Sequence, residues 1–65
     1  MKITLNGEPH ETGARTISEL VESLALSAPT LLIEHNDSAL RREEWPAAAL
    51  REDDRVEMLR IAAGG

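Results

Sequence analysis

Apolar positions change their spacing from segment to segment along this chain. Residues 2 to 6, Lys-Ile-Thr-Leu-Asn, alternate, with Ile3 and Leu5 on one side and Lys2 and Thr4 on the other. That period predicts a strand with one face turned inward. Asn6-Gly7 follows, and both residues tolerate the positive φ of a two-residue hairpin turn. Pro9 to Thr12 is the expected returning strand, on a sheet edge because Pro9 has no N–H to give a neighbour. Thr16-Ile17-Ser18-Glu19 has the form of a capping box, in which the hydroxyl takes a free N–H and the carboxylate reaches back. Ile17, Leu20, Val21 and Leu24 then recur at helical spacing, one stripe on a helix of about ten residues. Ser27-Ala28-Pro29 is expected to end it, because Pro29 lacks the N–H that a helix uses.

Leu31 to His35 predicts a third strand with Leu31, Ile33 and His35 on one face. Asn36-Asp37 is a turn, and Ser38 to Arg41 a short strand around Leu40. Glu43 to Leu50, with Trp45, Pro46 and a run of alanines, reads as an irregular or single-turn helical excursion. Glu52-Asp53-Asp54 reads as a solvated turn. Arg55 to Ile61 is the last strand, Val56 and Met58 on one face, Glu57 and Leu59 on the other. The helix stripe needs cover, and Ile3, Leu5, Ile33, Leu40, Val56 and Met58 supply it. The predicted fold is therefore α+β: a β-grasp, or ubiquitin-like, mixed sheet of four to five strands packed on one main helix. Residues 1–61 form the single domain and residues 62–65 a flexible tail. An open ferredoxin-like arrangement would need a second helix that the pattern lacks.

Composition narrows the chemistry. A chain of 65 residues leaves no room for a deep cleft with its own supporting shell. With no cysteine there is no disulfide, thiolate zinc site or redox pair. His10 and His35 lie too far apart in sequence to suggest a metal site. Seven basic residues scattered among twelve acidic ones, a net charge of −5, argue against nucleic-acid binding. The longest run of Ala, Val, Ile, Leu, Met or Trp is Ala47 to Leu50, far short of the ~20 residues that span a bilayer. The start lacks the basic-then-apolar pattern of a signal peptide. These features predict a small, acidic, soluble cytoplasmic domain that acts with partners, with no nucleic-acid or membrane role and no cofactor of its own.

The candidate site is the end, Ile61-Ala62-Ala63-Gly64-Gly65. Chain ends are commonly frayed and idle. Here, however, the last strand runs almost directly into residues with no bulky side chain, and glycine lets a foreign backbone approach closely. Such an arm threads a narrow channel. Its one special group is the Gly65 α-carboxylate, which becomes electrophilic if a partner transfers AMP to it from ATP with Mg²⁺. Ala62, Ala63 and Gly64 would thread the partner's active site, and Leu59, Arg60 and Ile61 beside them would form a docking patch. Trp45 is expected to pack the 43–50 excursion onto the sheet edge, and His35 to be a strand-end residue with a satisfied nitrogen.

Met1 to Gly7, Thr16 to Val21, Arg42-Glu43-Glu44-Trp45, and Asp54 to Leu59 followed by Gly64-Gly65 together resemble the ThiS family of thiamine-biosynthetic sulfur carriers. The resemblance departs at Arg41, where that family usually has proline, and at His35, where a small apolar residue is usual. It implies a β-grasp protein that is a co-substrate and not an enzyme. An E1-like (ThiF-like) adenylyltransferase would adenylate Gly65 using ATP and Mg²⁺. A sulfur donor such as a cysteine desulfurase would supply the sulfur of a thiocarboxylate, and a ThiG-like thiazole synthase would consume it. Alternatives are a carrier resembling the molybdopterin-synthase small subunit, a ubiquitin-like protein modifier, and an interaction domain with an idle end.

Overall fold

In a computed structural model that describes residues 1–26 and 28–61, the elements follow in the order β-β-α-β-β-β. β1 is Lys2–Leu5, β2 Glu8–Glu11, α1 Ile17–Ser23, β3 Leu31–His35, β4 Ser38–Leu40 and β5 Arg55–Arg60. Short 3-10 turns lie at Ala28–Thr30 and Arg42–Ala47. The five-stranded sheet has the order β2-β1-β5-β3-β4. β5 runs parallel to β1, and the other neighbours are antiparallel. This is the β-grasp arrangement, with the last strand at the centre of the sheet.

Local chemistry explains the turns. Asn6 and Gly7 have φ of 50° and 82°, as the β1–β2 hairpin requires. An added Cβ on Gly7 would meet nothing within 4 Å, so the positive φ, not space, favours glycine there. Asn36 and Asp37 turn β3 into β4 in the same way, at φ 49° and 71°. Pro9 lies on the edge strand β2. At the head of α1, Thr16 Oγ1 accepts the Glu19 N–H at 3.1 Å. The Glu19 carboxylate reaches back one residue past the cap, to the Arg15 N–H at 2.8 Å.

The core joins the inner sheet face to the helix stripe. Ile3, Ile17, Leu20, Ile33 and Val56 are almost fully buried, and Leu5, Leu24, Leu40 and Met58 pack at its margin. Burying such a side chain is worth about 1.5–3 kcal/mol. The helix is shorter than its spacing predicts. It ends at Leu24, well before Pro29, because Ala25 turns left-handed at φ 55°. The Ala25 N–H then bonds Glu22 O and the Leu26 N–H bonds Val21 O, which together satisfy the last carbonyls. Ser27, part of the expected stop, lies outside the described residues.

Trp45 does not sit on the sheet edge. The 3-10 turn Arg42–Ala47 carries it into the core, 4% exposed, and that turn packs against α1. Backbone bonds fix the placement: the Ile17 N–H to Ala48 O at 3.0 Å and the Leu50 N–H to Arg15 O at 2.8 Å. The Trp45 indole N–H has no acceptor among the described residues. Asp54 is also not the solvated group expected of it. Its side chain is only 13% exposed and accepts three bonds: from His35 Nε2 (2.8 Å), Asn36 Nδ2 (3.1 Å) and the Arg51 N–H (2.9 Å).

Candidate functional site

Ala62, Ala63, Gly64 and Gly65, the expected acceptor and its arm, lie outside the described residues. The structure instead defines the root from which they continue. β5 is held on both sides. β1 pairs with its first half through Thr4 and Leu5, opposite Arg55 and Val56. Where β1 ends, the Asn6 side chain takes over and its Oδ1 accepts the Met58 N–H at 2.8 Å. On the other side, β3 pairs with β5 from His35↔Val56 to Leu31↔Arg60. The Ile61 N–H then bonds Thr30 O at 2.7 Å. The strand is thus tied to the sheet as far as Ile61.

Alternation along β5 sorts the expected docking residues onto two faces. Leu59 points outward, 64% exposed, opposite Leu32 of β3, itself 52% exposed. Ile61 is 46% exposed just beyond. Leu32, Leu59 and Ile61 are thus large apolar side chains left open to solvent close to one another. Arg60 belongs to the other face. With Leu24, Leu26, Leu31 and Met58 it borders a hollow near the end of α1. Of the three residues expected to dock a partner, Leu59 and Ile61 are exposed on the outward side beside Leu32, which sequence reasoning did not name, and Arg60 lies on the other face. The outward position of Leu32 in Leu31–His35 was the available signal, but its register against Leu59 was not readable.

His35 and Asp54 sit at the opposite end of β5, about 20 Å from Ile61 at roughly 3.3 Å per strand residue. Partial burial pushes the Asp54 carboxyl up. The His35 and Asn36 bonds, the Arg51 N–H and the charge on His35 outweigh it and hold the pKa below the ordinary carboxylate value. This couple braces the start of the strand and does not approach its far end. His10 lies on β2, apart from both. Among the described residues no group of three or more His, Asp or Glu side chains is placed to hold a metal ion. Likewise, no helix among them is long and apolar enough to cross a membrane.

The described residues define the class as a β-grasp domain whose central strand leads toward the Ala-Ala-Gly-Gly segment of the sequence. Comparison with known proteins makes this specific. The ThiS family model matches residues 3–65. The sulfur carrier protein ThiS of Thermus thermophilus is 30% identical over 63 residues, covering 97% of this chain and 98% of that protein. A thiazole synthase of Magnetococcus marinus is 38% identical over 66 residues, covering all of this chain. The chain spans only 20% of that protein's length. The crystal structure of a thiamine biosynthesis protein (ThiS) from Geobacter metallireducens superposes with a TM-score of 0.83, at 33% identity and with full coverage of both chains. The chain belongs to the ThiS family, the small sulfur carriers of thiamine biosynthesis.

Proposed function

We propose that the chain carries sulfur on the Gly65 carboxylate for thiazole formation, as a protein co-substrate and not a catalyst. The carrying observation is the strand that feeds the tail: β5 is bonded through Ile61, and only four residues separate it from the acceptor carboxylate. At roughly 3.5 Å per extended residue, residues 62–65 reach at most about 14 Å beyond the sheet. A rigid body with a thin arm of that length delivers a carboxylate into a recessed active site while its own bulk stays outside.

The chemistry follows from what a carboxylate lacks. It resists nucleophiles, so an E1-like partner first joins a Gly65 oxygen to the α-phosphate of ATP, with Mg²⁺ balancing the phosphate charge and pyrophosphate leaving. A persulfide sulfur, such as that of a cysteine desulfurase, attacks the acyl carbon and expels AMP. A second thiol then cleaves the S–S bond and leaves the thiocarboxylate. The family match running to Gly65 and the thiazole synthase relative support thiazole synthase as the consumer. Leu59, Ile61 and Leu32 supply the docking surface, and the domain at residues 1–61 serves as its rigid support.

The activation step is tested without sulfur. With the adenylyltransferase, Mg-ATP and labelled pyrophosphate, adenylation is reversible, so label enters ATP only when the carrier is present. Exchange that depends on the chain and vanishes on deletion of Gly65 is the expected result. Exchange that persists after that deletion overturns the assignment of the carboxylate.

A further inference from the structure

Beside the apolar pair on the outer face stands an arrangement that the fold itself does not need. Glu34 and Glu57 are directly opposite one another on β3 and β5 and both are exposed. Residues so placed have Cβ atoms about 4.5–5.5 Å apart, and like charges there repel. The neighbouring pair is Leu32↔Leu59. Together with Asn6 and Met58, these four line one open hollow. Among the described residues neither carboxylate has an ion-pair partner. Arg55 on β5 is engaged by Asp37, and Arg41, just past β4, by Glu43 and Glu44. The fold thus places two uncompensated charges beside its most exposed leucine.

We propose that Glu34 and Glu57, with Leu32 and Leu59, form a docking site for an arginine set in an apolar surface of thiazole synthase; this rests on the carrier reading above. Charge complementarity selects the occupant. A planar guanidinium with five donors can bond carboxylates on two adjacent strands at once, and its stem covers the leucines. A second copy of this chain is excluded, because two such faces would bring four carboxylates together. The site is continuous with the root of the tail, since Leu59 lies two residues before Ile61 on β5 and its extension. Docking there orients the arm toward the sulfur acceptor.

The test uses the property that sets a recognition pair apart from a structural one: removing the charges should not harm the fold. Affinity of the chain for the thiazole synthase of the same organism is measured by calorimetry at low and at physiological salt. Glu34→Gln with Glu57→Gln should weaken binding at least tenfold at low salt, flatten the salt dependence, and leave the thermal midpoint equal or higher. Leu59→Ala should weaken binding and keep the salt dependence. Unchanged affinity in the double Gln variant, or a lowered midpoint, overturns the proposal, as does a wild-type chain that dimerises through this face. If the double variant binds normally while the wild type still gains sulfur, this inference alone falls. If the wild type gains none, the carrier reading falls with it.

Discussion

Replacing Asp54 by alanine tests how a domain this small holds its central strand. The carboxylate accepts bonds from His35, Asn36 and the Arg51 amide, which join the end of β3, the β3–β4 turn and the segment leading into β5. Bonds to a charged acceptor are worth about 1.5–3 kcal/mol each when buried. These are shared and partly exposed, so the combined loss is about 2–4 kcal/mol. At about 0.05–0.15 kcal/mol per residue the whole chain has only about 3–10 kcal/mol to lose. A domain of this size shifts by about 4–8 °C per kcal/mol, so Asp54→Ala should lower the midpoint by roughly 10–30 °C. The effect should also depend on pH. Because the folded pKa is lowered, Asp54 stabilises the fold fully above its unfolded value of about 3.9, and that contribution is lost as pH falls through the folded pKa. Thermal melts of both proteins should differ most near neutrality and converge in strong acid. A midpoint within about 3 °C of wild type at pH 7 would refute the bracing role. Below its midpoint the variant should still accept sulfur, because the couple is remote from Ile61.

Other substitutions probe other links. Ala25→Gly relieves a left-handed alanine at φ 55° and should raise stability by up to about 1 kcal/mol, read from urea unfolding. Leu20→Ala removes a fully buried stripe residue and should cost about 2–5 kcal/mol, leaving a marginally folded domain by circular dichroism. Thr16→Ala loses the cap to Glu19 and should cost about 1 kcal/mol in the same assay.

Local pattern carried the fold a long way. The alternation of Leu31–His35, the Asn6-Gly7 turn and the Thr16 cap each act within a few residues, so the sequence displays them directly. Two of the errors came from interactions that span the chain. Asp54 looked solvated because its partners His35 and Asn36 are 19 and 18 positions away in sequence. Trp45 looked like an edge residue because the backbone bonds that turn it inward come from Arg15 and Ile17. The helix stop was missed because alanine seldom adopts positive φ, so Ala25 gave no warning while Pro29 gave a strong one. At the site, the outward direction of Leu59 was readable from alternation. Its register against Leu32, and that of Glu57 against Glu34, depended on strand pairing that only the folded sheet displays.

The central claim concerns one atom exchanged at one residue. The direct measurement is an intact-mass and fragment spectrum of the chain after incubation with Mg-ATP, sulfide and the E1-like adenylyltransferase. The account predicts a gain of one sulfur in place of one oxygen, carried by a fragment ending at Gly65. The gain should be absent when Gly65 is deleted, with the thermal midpoint of that variant unchanged. No gain with an adenylyltransferase that loads another carrier, or a gain located away from Gly65, would contradict it.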